Sequence, residues 1–345
     1  MKPSAPALAG LVLVVALLIG LALVHVRRYT VSRPPIGLFV RSDVAVMAVS
    51  VVIAPLLYLE LPATVVAAVF GLVTVVAIQT AAAPLLGGRP ATLAALALCA
   101  ATWACWLSGH PLPTTLLTDA GLAVAVIGVT GMWVQGGMRA AHVAAFAALL
   151  TGYDLTATSL TSLMTRFSDH LHGLPFAPLL VIPGSHGALV AIGLGDLVML
   201  VLFPMAAGKA FGRRPAVTAG LVGVAVTALI MALFWWRVVG TAVPVLAFLG
   251  PLIVVQYVIW RCLGYRERTV REWRDAADPK AIKPDPRAPL EAALSAHVPG
   301  RLPAGTWLAV DAGLVVGTGP SPGLACRNAR ANGHVGPLVV RGVRV

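Results

Sequence analysis

Residues 191–203 read AIGLGDLVMLVLF: one aspartate, Asp196, inside an otherwise apolar stretch. A second such acid, Asp154, sits in TGYDLTA at residues 151–157. The chain has thirteen acidic residues, and seven of them lie at or beyond Glu267, in a polar tail. Asp43, Glu60, Asp119 and Asp169 stand at the ends of hydrophobic stretches or in the loops between them, with Glu60 and Asp119 read as solvated helix ends. Only Asp154 and Asp196 are embedded. A charge at membrane depth costs several kcal/mol, roughly 2.5–3.5 on insertion scales, so an intramembrane acid marks a functional site by default.

Composition places these acids in a bilayer. Of 345 residues, 59% are hydrophobic and 11% charged, with a mean hydropathy of +0.89; soluble domains carry about 25% charge. The apolar runs have the ~20-residue length of membrane helices rather than the ~10-residue alternation of a barrel strand. The expected fold is therefore an all-α polytopic membrane protein. A net charge of +12 in a soluble chain points to nucleic acid. Here the basic residues cluster at helix ends and in the tail, where topology and anionic lipid account for them, so the expected partner is the lipid bilayer and not nucleic acid. Cys99, Cys105, Cys262 and Cys326 are scattered, three of them in or beside membrane stretches, which supports neither a disulfide framework nor a metal site.

Nine spans are expected, at about 7–26, 44–61, 63–84, 91–109, 114–134, 141–163, 178–204, 215–236 and 240–263. The first resembles a signal peptide in having Lys2 before an apolar run. It is too long for one, lacks a small-residue cleavage site and ends on Arg27 and Arg28, so it reads as a retained helix. Arg27, Arg28, Arg33, Arg41, Arg89, Arg139, Lys209, Arg213 and Arg214 fall on one side of this arrangement, joined by Arg266, Arg268, Arg271 and Arg274. The other side holds Lys2, Arg166 and Arg237. The positive-inside rule then sets the N-terminus outside and the C-terminus in the cytoplasm of a plasma-membrane protein. On this reading the sixth and seventh spans are antiparallel neighbours joined by the short loop RFSDHLHGLPFAP, with their acids at similar depth.

Three regions follow: a membrane domain over 1–263, a charged, proline-punctuated linker over 264–288, and a small cytoplasmic module over 289–345. In the last, EAALSAHV reads as a short helix, GTWLAVDAG and LVVGTG as a hairpin with Asp311 at its turn, SPGLACRNARANG as a helix and GPLVVRGVRV as a final strand. A ββαβ module is expected, with nothing catalytic in it.

Two carboxylates within hydrogen-bonding range cannot both ionise cheaply and hold one proton between them. Such a pair suits peptide hydrolysis: the ionised member takes a proton from water, and the protonated one polarises the scissile carbonyl and then protonates the leaving amine. No metal or cofactor is required. Gly193 and Gly195, flanking Leu194, place small residues just before Asp196, where they let another backbone approach and loosen the helix. A plain helix-packing face accounts for the same glycines.

Tyr153-Asp154 and Gly193-Leu194-Gly195-Asp196 resemble the YD and GxGD motifs of the presenilin and signal peptide peptidase family of intramembrane aspartyl proteases. That family also has nine helices, with its two aspartates in the sixth and seventh. Val243-Pro244-Val245-Leu246-Ala247-Phe248-Leu249-Gly250-Pro251 in the ninth span is similar to the family's Pro-Ala-Leu segment, with Val245 in place of its alanine. The resemblance covers roughly residues 1–263. It implies a presenilin-like bundle with Asp154 and Asp196 catalytic and Tyr153, Gly193, Leu194 and Gly195 supporting them. It further implies that Pro244, Val245 and Leu246 hold the unwound substrate. N-outside topology matches the signal peptide peptidase branch, which implies transmembrane or remnant signal-peptide substrates oriented N-in, C-out. Pro244 fits an opened helix start on its own chemistry, since it lacks an N–H.

Two other readings compete. Prepilin peptidases also carry GxGD, but typically with a lysine soon after the aspartate, where this chain has Leu197-Val198-Met199. A proton-coupled transporter also uses buried acids and broken helices, yet no inverted repeat supplies the first five spans with matching acids. His186 reads as an interfacial residue about three helical turns from Asp196. Trp235, Trp236 and Arg237 read as an interfacial belt, and Gln256 and Tyr257 carry no assignment.

Overall fold

The computed structural model describes residues 4–31, 41–157, 161, 163–171, 173–183, 189–238, 243–275, 306–311, 314–334 and 338–341. His186, EAALSAHV and most of the proline-rich linker lie outside these residues. The chain divides into two compact units, Met1–Trp273 and Arg274–Val345.

The first unit is helical. Its elements are α1 (Ala5–Arg28), α2 (Arg41–Glu60), α3 (Ala63–Leu86), α4 (Gly88–Leu107), α5 (Pro111–Gln135), α6 (Ala140–Leu155), α7 (Leu163–Leu171), β1 (Leu179–Pro183), β2 (Leu189–Gly193), α8 (Leu194–Phe211), α9 (Arg213–Trp235), α10 (Val245–Cys262) and, at its boundary, α11 (Val270–Arg274). Among the described residues, eight helices are long and apolar enough to cross a membrane, and α6 is a shorter apolar one. At 1.5 Å per residue the 24-residue α1 and α3 are about 36 Å long, against a hydrocarbon core of about 30 Å. Leu72 and Leu93, each 67% exposed, would meet water in a soluble protein. The protein is a multi-pass membrane protein.

These helices are apolar on every side, so small residues rather than polarity mark the faces that meet. A Cβ on Gly128 of α5 would lie 2.3 Å from the Ala77 carbonyl oxygen of α3. On α10, a Cβ at Gly250 would lie 1.8 Å from Thr151 Oγ1 and 3.1 Å from the Ala147 carbonyl oxygen of α6. The most enclosed helix is α8, with 78% of its apolar window buried against 12–39% in the other seven. It packs against α1, α5, α6, α9 and α10.

Two expected spans are corrected. The seventh, 178–204, is not one helix: Leu179–Pro183 and Leu189–Gly193 pair as antiparallel strands, Leu179 opposite Gly193 and Val181 opposite Ala191, and the helix starts at Leu194. Pro178 and Pro183 bracket an apolar run too short for its periodicity to separate strand from helix. The sixth, 141–163, is α-helical only to Leu155, and the connection to α8 contains α7 and the hairpin. It is much more than a short loop. Tight pairing continues to the helix start, where the Leu194 amide donates to the Pro178 carbonyl at 2.9 Å.

The second unit contains β3 (Trp307–Asp311), β4 (Leu314–Gly319), α12 (Pro322–Ala331) and β5 (Leu338–Arg341). The antiparallel sheet has order β4-β3-β5, and α12 lies against it so closely that a Cβ on Gly317 would sit 2.5 Å from the Ala325 carbonyl oxygen. Ser321 caps α12 by accepting the Leu324 amide at 3.3 Å. Asp311 ends β3 and pairs with His334 Nδ1 at 3.1 Å, a partnership its expected role as a turn former does not include.

Candidate active site

Asp196 stands in the first turn of α8, whose N-cap is Gly193 in extended conformation (φ −70°, ψ 152°). An acid at this position faces the positive end of the helix dipole and the unpaired amides of the first turn. Its carboxylate is in hydrogen-bonding relation with two backbone groups, those of Gly193 and Leu246, and Asp154 is close enough to act on its charge. Gly193 matters sterically: a Cβ there would come 3.3 Å from Asp196 Oδ2, so a side chain would crowd the returning carboxylate. At Gly195 a Cβ would meet nothing within 4 Å. The glycines were expected to let another backbone approach and to loosen the helix; a side chain at Gly193 would crowd Asp196, and the space beside Gly195 is open.

Asp154 is in the last turn of α6, and both acids are partly buried. Tyr153 precedes it, and its hydroxyl is buried with no hydrogen-bond partner among the described residues.

The segment at the start of α10 joins the two acid-bearing helices. Pro244 is the N-cap of α10 (φ −69°, ψ 102°), and Val245 and Leu246 are its first two residues, both buried. Leu246 reaches both ways: its backbone meets the Asp196 carboxylate, and its carbonyl accepts a hydrogen bond from Thr151 Oγ1 at 3.1 Å, one turn before Asp154 on α6. Thr151 also donates to the Ala147 carbonyl at 2.8 Å. Gly250, one turn further along α10, is what permits this approach, because any Cβ would strike Thr151. The structure thus gathers Tyr153, Asp154, Gly193, Leu194, Gly195, Asp196, Val245 and Leu246, with Pro244 adjoining, at one end of α6, α8 and α10.

Sequence reasoning missed three contributors. Asp119 of α5 is not a solvated helix end: its Oδ1 accepts the Val181 amide at 3.0 Å and ties β1 to the bundle. Beside it, Thr118 Oγ1 accepts the Phe176 amide at 3.3 Å. Phe176 is held at φ 60°, unusual for an aromatic residue, with its ring against Gly71. Thr151 is the third, and its place in the same TGYD stretch was the available signal.

Comparison with protein-family models, with curated proteins and with solved structures found no match.

Proposed function

We propose that the chain is an intramembrane aspartyl endopeptidase that hydrolyses peptide bonds within transmembrane segments or remnant signal peptides. Asp154 and Asp196 form its catalytic pair. One observation carries the reading: Leu246 links the Asp196 carboxylate to Thr151, one turn from Asp154, so the resembled YD, GxGD and Pro-Ala-Leu-like segments converge although they are far apart in sequence.

In the proposed reaction the ionised carboxylate removes a proton from water while the protonated one hydrogen-bonds the scissile carbonyl oxygen. The hydroxide adds to the carbonyl carbon; the tetrahedral intermediate then expels the amine, which takes its proton from the pair, leaving a carboxylate and an amine as products. Tyr153, with its buried hydroxyl unpartnered among the described residues, is suited to donate to substrate or intermediate. An extended substrate strand fits here better than a helix. Among the described residues the β1–β2 sheet has two strands, so it has edges able to take a third, and β2 runs directly into the helix bearing Asp196. Desolvated acids and a strand template at one site address the two demands of intramembrane proteolysis: supplying water to the bond and unwinding the substrate.

The eight long apolar helices together with α6 are compatible with a nine-crossing, presenilin-like arrangement. Charge asymmetry between loops supports an N-outside, C-cytoplasmic orientation in the plasma membrane, which selects substrates oriented N-in, C-out. The purified protein in lipid vesicles is expected to cut a single-span helical substrate, and Asp154→Asn or Asp196→Asn to abolish cutting while the protein stays folded. Wild-type cleavage by either variant rejects the paired-acid mechanism. Aspartate-dependent proton flux without proteolysis replaces it with a transporter.

A further inference from the structure

The far ends of the two acid-bearing helices are held by two consecutive residues. Glu267 Oε1 accepts the Ala141 amide at 2.7 Å, in the first turn of α6. Its neighbour Arg268 is buried, donates from Nε to the Lys209 carbonyl at 2.9 Å and from Nη2 to the Gly208 carbonyl at 2.8 Å. The Arg268 amide adds a bond to the Ala210 carbonyl at 3.2 Å. Three carbonyls in the last turn of α8 are therefore taken by one residue. The charges match the helix ends they meet: a carboxylate at the N-terminus of α6 and a guanidinium at the C-terminus of α8. Residue 139, the local N-cap of α6, gives it no side-chain hydrogen bond, so Glu267 supplies what the adjoining sequence lacks.

The segment carrying this pair is itself fixed. The Tyr265 ring stands edge-on to Trp260 and Phe211, at centroid distances of 5.4 and 6.4 Å. Arg266 pairs with Glu272, and Thr269 and Glu272 cap each other's amides at the start of α11. The segment follows directly from α10, whose other end sets Leu246 against Asp196 and Thr151. One continuous piece of chain, α10 and residues 263–268, thus touches α6 and α8 at two levels, about 15 Å apart along α6 and about 20 Å along α8 at 1.5 Å per residue. Helices tied at two levels cannot tilt or slide independently.

We infer that Glu267 and Arg268 are positioning residues that clip α6 to α8 and thereby set the separation of Asp154 and Asp196. This rests on the reading of those acids as a catalytic pair. Because about 1 Å of misplacement at reacting groups can cost 10²-fold in rate, a clip remote from the chemistry acts on turnover rather than on substrate capture.

The test uses the full chain in lipid vesicles, with two readouts. For cleavage, Glu267→Ala and Arg268→Ala are expected to lower kcat at least tenfold with KM within twofold. Glu267→Gln keeps the acceptor for Ala141 and is expected to retain at least a third of wild-type kcat. Arg268→Lys has a single donor centre for two carbonyls and is expected to stay low. The second readout needs no proteolysis. With the four native cysteines changed to serine, the Asp154→Cys/Asp196→Cys pair is expected to form a disulfide under mild oxidant, and adding Glu267→Ala or Arg268→Ala to slow its formation at least fivefold. Gly128→Ala, which disturbs α3 against α5, serves as a destabilised comparator and is expected to leave that rate unchanged. Unaltered bridging in the clip variants overturns the inference and leaves the protease reading intact, and so does equal slowing by the comparator. Bridging slowed as expected, in a protein whose cleavage ignores Asp154→Asn, rejects the protease reading while the clip stands as a spacer of these helices. No bridging before any clip substitution overturns both.

Discussion

At one end of α6 and α8 stand two carboxyl groups in apolar surroundings; at the other, Glu267 and Arg268 each meet a helix terminus of opposite polarity. The first arrangement opposes stability, since embedded acids are costly and repel each other. The second favours it, since charge-assisted hydrogen bonds satisfy amides and carbonyls that the helices leave unpaired. Charges that weaken a fold persist where they have another use. Charges that strengthen it need no other explanation, although here they also bear on how the first pair is held.

That contrast can be broken from either side. The largest effect is expected at the acids: Asp154→Asn or Asp196→Asn should reduce cleavage by roughly 10²–10⁴-fold while the melting temperature in detergent holds or rises. A fall in melting temperature would mean the acids are structural. Next comes the contact that brings Leu246 to the site. Gly250→Ala is expected to destabilise the protein by about 1–3 kcal/mol through overpacking against Thr151. Adding Thr151→Ala should recover part of that loss, a non-additivity readable from a double-mutant cycle of thermal unfolding.

A smaller effect is expected from Asp119→Ala, which removes the acceptor of the Val181 amide. The loss should be roughly 0.5–1.5 kcal/mol, with faster hydrogen exchange at Val181; Asp119→Asn, which keeps an acceptor, should exchange more slowly than Asp119→Ala. Ser321→Ala sharpens the comparison by its silence. It removes the N-cap of α12 in the second unit at a cost of about 1 kcal/mol, measurable in the melting of that unit, and cleavage should be unchanged.

Much of this architecture was legible in the chain. Asp154 and Asp196 stood out because acids in apolar runs are rare, and Pro244 marked a helix start because it lacks an N–H. The C-terminal strands and helix were visible from their turn residues and alternation. The hairpin before α8 was not, because Leu179-Leu180-Val181-Ile182 is as apolar as a membrane helix and too short to have a period. Asp119 looked solvated because its partner, a backbone amide on β1, leaves no trace in composition. Glu267 was read with the polar tail for the same reason: its partner, Ala141, lies 126 positions earlier. Pairing at that range is a property of the fold.

The most direct test of the proposed dyad is cleavage in water enriched in oxygen-18. A single-span substrate is digested in lipid vesicles, and its products are weighed by mass spectrometry. The expected result is one heavy oxygen in the new C-terminal carboxylate from the wild-type protein, and no product from Asp154→Asn or Asp196→Asn. Labelled product from either variant at the wild-type rate, or wild-type cleavage without the label, would contradict the account.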